Sequence, residues 1–191
     1  MKEIDNILNI LKETKKAIEN NNSSIIKNLS NQTIHTASLT QDADNIAVAV
    51  AVYSLAKIFE RPDYKQLKGW NNFHSLTSKA LTASIQDLEK KDLEKFRKDF
   101  EFLTKAINKI SGKLKKYIED VLSKAKINKA SRLYEHGLSL EKTSKLLGVS
   151  MFDLADYTGK TGISDTKYGQ TIDVRMRVKW LREMFQWQKK Y

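Results

Sequence analysis

The stretch LSLEKTSKLLGVSMFDLADYTG, residues 138–159, reads as two short helices joined by a tight turn, and the remaining chain is placed around it. Ser139 suits the N-cap of the first helix, because its hydroxyl oxygen accepts from an unpaired N–H of the first turn. Gly148 follows Leu147 and suits the left-handed position where a chain leaves a helix. Ser150 then caps a second helix, with Asp153 three residues on as a carboxylate near that helix's positive end. Leu146, Leu147, Val149, Leu154 and Tyr157 supply an apolar wedge between the two helices, and Ser144 is small where they touch. The pattern predicts a helix-turn-helix.

In such a module the second helix lies in the major groove and its exposed N-terminal residues meet base edges. Here those residues are Ser150, Met151, Phe152, Ala155 and Asp156. None is Arg, Lys, Asn or Gln, the side chains that pair with guanine or adenine through two hydrogen bonds. Asp153 and Asp156 also bring the wrong sign to a phosphate-lined groove. Groove reading and reuse of the helix pair for packing or protein contacts are the two alternatives.

From Ala130 onward, ASRLYEHGLSLEKTSKLLGVSMFDLADYTGKTGI resembles the helix-turn-helix of small prokaryotic antitoxin-like proteins of an uncharacterised family. The shared features are a basic helix ending in YxxG (134–137), the Ser139-Leu140 opening, the LxGxS turn (146–150) and the Gly162-Ile163 exit. The resemblance covers about a fifth of the chain. It implies a DNA-binding regulator or antitoxin of archaeal or bacterial type.

The 191 residues hold one large domain or two small ones. Five of the seven glycines (137, 148, 159, 162 and 169) fall after residue 136, and Pro62 is the single proline. Long helices followed by a more punctuated C-terminal part are therefore expected. Cysteine is absent, which excludes disulfides and thiolate metal sites. The N-terminus breaks its apolar residues with charges, unlike a signal peptide, and no run is long enough for a membrane helix. A cytoplasmic protein is expected. The net charge of +11 splits into +6 for residues 126–191 and +5 for the remainder. That favours a polyanionic partner, nucleic acid first. An A+T-rich genome that makes Lys the default surface residue accounts for the same excess.

Helical spacing of Ile4, Ile7, Leu8, Leu11 and Ile18 predicts a first amphipathic helix, closed by the Asn/Ser cluster at 20–24. Ile25, Ile26, Leu29, Thr33 and Ile34 predict a second, over 24–36. Residues 46–53 are apolar throughout, with Val and Ala alternating as in a buried strand. The absence of a breaker between Gln41 and Pro62 instead predicts the enclosed central helix of a bundle, capped by Ser38 or Thr40. Residues 63–74 predict a loop or short helix, and the helical period returns over 76–89, 91–111 and 114–136.

His35, Asp42 and Asp44 precede that central helix, and such a group suits a divalent metal or acid–base work. The alternative is structural, since carboxylates are favoured in a first helical turn. His74 reads as a surface or loop residue, and His136 as a favourable partial cation at a helix C-terminus. No phosphate loop, dinucleotide fingerprint or paired-His metal helix occurs. No cofactor or metal is therefore expected, and an enzyme is disfavoured.

Residues 172–191 predict a last helix. Arg175, Lys179, Arg182 and Lys189 align on one face. Ile172, Met176, Trp180, Met184 and Trp187 line a second face, and Val174, Val178, Leu181 and Phe185 a third. One apolar face suits the chain's own module and the other a second copy, while an anionic membrane surface is a further option. The sequence thus predicts an all-α protein: an N-terminal antiparallel helical bundle over 1–125, then a helix-turn-helix with a closing helix over 126–191. The leading function is nucleic-acid binding, DNA ahead of RNA, through Ser150, Met151, Arg175, Lys179, Arg182 and Lys189, with homodimerisation through the last helix. A protein-interaction scaffold is the second reading, and a metal-dependent enzyme around His35, Asp42 and Asp44 the third.

Overall fold

The computed structural model describes residues 1–40, 42–105 and 112–161, and every regular element among them is an α-helix. In chain order these are α1 (Ile4–Glu19), α2 (Ser23–Thr40), α3 (Ala43–Phe59), α4 (Pro62–Lys65), α5 (Trp70–Glu89), α6 (Leu93–Lys105), α7 (Gly112–Glu135), α8 (Leu140–Leu147) and α9 (Met151–Thr161). The fold is all-α, as the near absence of breakers before residue 137 predicts. The closing helix expected over 172–191 lies outside the described residues, and with it Arg175, Lys179, Arg182, Lys189 and both apolar faces.

The apolar run 46–53 is helical, and its composition follows from its surroundings. α3 packs against α1, α2, α7 and α8, so nearly all of its circumference meets protein. Val48 and Val52 belong to a first core shared with α1, α2, α5, α6 and α7, built on Ile7, Ile10, Leu11, Phe73, Phe96 and Ile118 among others. Ile46, Ala49 and Val50 face a second core with Ile34 of α2, Ala125 and Leu133 of α7, Leu147 of α8 and Leu154 of α9. Small Ala side chains let these neighbours approach closely. Each fully buried Val, Ile or Leu contributes about 1.5–3 kcal/mol over its exposed state.

The cap of this helix differs from expectation. Ser38 stays within α2, where its hydroxyl donates to the His35 carbonyl at 2.7 Å, and α2 runs on through Thr40. Asp42 takes the cap instead, its Oδ1 accepting from the Asp44 N–H at 2.9 Å and the Asn45 N–H at 3.4 Å. A carboxylate is both a stronger acceptor than a hydroxyl and the charge that the helix start favours. α3 ends at Phe59, and Pro62 opens α4, where the missing N–H costs nothing.

The 63–74 region is also more helical than its Gly and Asn residues suggest. α5 starts directly at Trp70 because Gly69 takes a left-handed φ of 97°. Trp70 and Phe73 then pack with Phe59, ring centroids 5.2 and 6.4 Å away, while Asn71 and Asn72 face solvent. Burial of the aromatics outweighs the weak helix propensity of two exposed asparagines. His74 follows on the same helix, half-buried with its ring 5.7 Å from Phe59, and is neither a loop residue nor fully exposed.

Candidate nucleic-acid interface

The local chemistry of the 138–159 stretch produces the expected helix pair. Ser139 Oγ accepts from the Lys142 N–H at 3.2 Å, capping α8. Gly148 closes it at φ 60°, and the Val149 N–H reaches back to the Ser144 carbonyl at 3.1 Å. Ser150 Oγ accepts from the Phe152 and Asp153 N–H groups at 3.1 and 3.2 Å, capping α9. Leu147 and Leu154 are buried between the two helices and the second core, with Leu146 and Val149 packed at its edge.

The outward face of α9 is apolar and acidic. Phe152 is 80% exposed and Met151 48%, which makes them the most exposed large apolar side chains of the described residues. Asp153 and Asp156 are exposed beside them, and Asp156 holds Lys160 at 2.7 Å. Lys145 is likewise held by Glu141 at 2.7 Å. Ser150, placed at the tip, spends its hydroxyl's acceptor capacity on the cap. The helix pair over 138–161 has three Lys against three acids and no net charge.

Positive charge concentrates on α7, which carries seven Lys and Arg against three acidic residues. One of these was not singled out from sequence. Lys129 is fully buried, its Nζ donating to Asn31 Oδ1 at 3.1 Å and lying 4.2 Å from the centre of the Tyr53 ring. No carboxylate among the described residues pairs with it. Burial first, then repulsion from Arg132 and Lys27, pulls its pKa down to about 8. Lys27 and Arg132 are themselves exposed, one on α2 and one on α7. Arg132 is partly neutralised by Glu135 at 2.9 Å, whereas Lys27 has no ion-pair partner among the described residues. The spot also carries Asn128, whose Nδ2 donates to the Tyr157 hydroxyl of α9 at 3.2 Å and ties this face to the helix pair. Lys129 was legible in one respect: it occupies the fourth place in the buried register Ile118, Val121, Ala125, Lys129, Leu133 on α7.

The proposed metal constellation is not brought together. His35 lies against His136, ring centroids 5.8 Å apart, and His136 Nδ1 sits 2.8 Å from the Arg132 carbonyl. Asp42 and Asp44 converge on the amino group of Met1 at 3.4 Å each. Asp44 also grips Arg97 of α6 through two oxygens, at 3.0 and 2.9 Å. Burial raises the Asp42 carboxyl, yet hydrogen bonds from the Lys2, Asp44 and Asn45 N–H groups outweigh it and leave the pKa lowered. Both carboxylates are thus occupied in tying the N-terminus and α6 to the start of α3. Among the described residues no three His, Asp or Glu side chains are grouped to hold a metal ion. No helix of the described residues is long and apolar enough to cross a membrane.

Comparison of the chain with protein-family models, curated proteins and solved structures finds no match.

Proposed function

We propose that the chain is a nucleic-acid-binding regulator of the helix-turn-helix type, DNA ahead of RNA, acting without catalysis as a dimer in the cytoplasm. The observation that carries this reading is the Lys27–Lys129–Arg132 cluster. Arg132 and Lys27 both lower the Lys129 pKa, and no carboxylate among the described residues meets Lys129. A phosphate backbone supplies the missing counter-charge. Lys27 and Arg132 make the contacts, and Lys129 strengthens the field from beneath. The neutral helix pair then contributes position and shape in place of base readout, and Arg175, Lys179, Arg182 and Lys189 add further phosphate contacts.

Binding to duplex DNA and to RNA across a salt series tests this. Each phosphate contact adds about −0.9 to the log–log slope, so Lys27→Gln with Arg132→Gln should flatten it by about 1.8. Replacing Arg175, Lys179 and Arg182 by Gln should flatten it by about 2.7. The exposed pair Lys16 and Lys98, on α1 and α6, serves as control. Equal losses from control and test sets would mean diffuse surface charge and no site.

Exposed Phe152 and Met151 beside two aspartates favour a second reading, a protein-interaction module that docks through the tip of α9. Substituting Met151 and Phe152 by Ser separates the two. A change of nucleic-acid sequence preference supports groove entry by α9. Absence of any binding at low salt puts the interaction module first.

A further inference from the structure

Between Asn45 and Val52 every residue of α3 is buried except Ala47. Ala47 opens into a cleft of about 430 Å³ bounded by α3, α6, α7 and α8. The cleft exists because α6 leans on α5 and reaches α3 at one end through the Arg97–Asp44 pair, leaving a gap beyond it. Its walls are Ile46 and Val50 from α3, Phe96 and Phe100 from α6, Leu122 from α7, and Leu146 with Leu147 from α8. Phe96 and Phe100 stack with centroids 5.3 Å apart on the α6 side of the cleft. The size and lining are those of a small-molecule site.

The rim decides the chemistry of the occupant. Arg97 is neutralised by Asp44 through two hydrogen bonds. Lys126 and Ser123 stand three residues apart on α7, on one face of that helix, and neither has a hydrogen-bond or ion-pair partner among the described residues. Glu101 reaches the rim from α6. We propose that this cleft binds a lipophilic anion, of the class of a medium-chain fatty carboxylate, with its tail between Phe96, Phe100, Val50 and Leu147 and its head on Lys126 and Ser123. The ammonium and hydroxyl donate to the carboxylate, an arrangement roughly twice as strong as neutral hydrogen bonds. Such an occupant touches α8 through Leu146 and Leu147 and therefore bears directly on the helix pair. Binding to the cleft does not depend on the nucleic-acid reading.

Calorimetric titration of the full chain with decanoate, decanol and decyltrimethylammonium tests the proposal. Decanoate should bind saturably, one per chain, and more tightly than either of the others. Ala47→Trp fills the cleft from an exposed position and should abolish the binding. Lys126→Glu, on the surface, should weaken decanoate by about tenfold, the scale of one charge-assisted hydrogen bond, and leave decanol unchanged. Glu101→Gln should leave decanoate binding equal or tighter. Non-saturable uptake, binding unaltered in a folded Ala47→Trp chain, or equal affinity for the cationic probe would overturn the proposal.

Discussion

Lys129 shows how one side chain sets both a stability cost and a functional clue. Its pKa of about 8 lies below the ordinary 10.5, so the folded chain holds this proton less tightly than the unfolded one. Below pH 8 both states are charged and the cost of burying the cation is felt in full. Between about 8 and 10.5 the folded state sheds the proton first, and stability from this group rises with pH. Lys129→Met should therefore stabilise the protein at pH 7 by about 1–3 kcal/mol. The gain should vanish towards pH 10.5, as measured by urea unfolding at several pH values. Parallel wild-type and variant curves through that window would show that Lys129 does not titrate there. A buried cation that carries such a cost is the residue-level reason for proposing an anionic partner nearby.

At the scale of elements, the helix boundaries follow local chemistry wherever an acceptor or a glycine is the best available. Ser139, Gly148 and Ser150 were legible for that reason. Gly148 offers a clean measure of it: an added Cβ would meet nothing within 4 Å, so only the left-handed backbone at φ 60° resists substitution. Gly148→Ala should cost about 1–2 kcal/mol in thermal or urea unfolding without a steric contribution. A neutral result would mean that the turn relaxes to another conformation. The start of α3 was misread because Ser38, Thr40 and Asp42 are all competent caps in sequence. Which one is used depends on how far α2 continues, and the packing of α2 along α3 sets that.

At the scale of the whole molecule, the second core joins α2 and α3 to the helix pair through Ile34, Ile46, Ala49, Leu147 and Leu154. The helix pair therefore shares a core with α3, the helix that also carries the first core. Self-association belongs to this scale too. Trp180 and Met184 share a helical face in the sequence, and Trp180→Ala with Met184→Ala should convert a dimer to a monomer in sedimentation. A wild-type chain that stays monomeric at high micromolar concentration would refute the dimer and leave that face to bind within one chain.

The all-helical class, the enclosed character of 46–53 and the paired short helices around Gly148 were determined by sequence alone. Periodicity, breakers and caps act over a few residues and so are written in adjacent letters. The cation cluster, the Asp44–Arg97 tie and the cleft under Ala47 join residues from different helices. Lys27 meets the field of Lys129 only because α2 and α7 pack together. Asp44 leaves the His35 group for Arg97 only because α6 swings towards α3. Long-range packing decides which charges become neighbours, and no spacing within one helix encodes it.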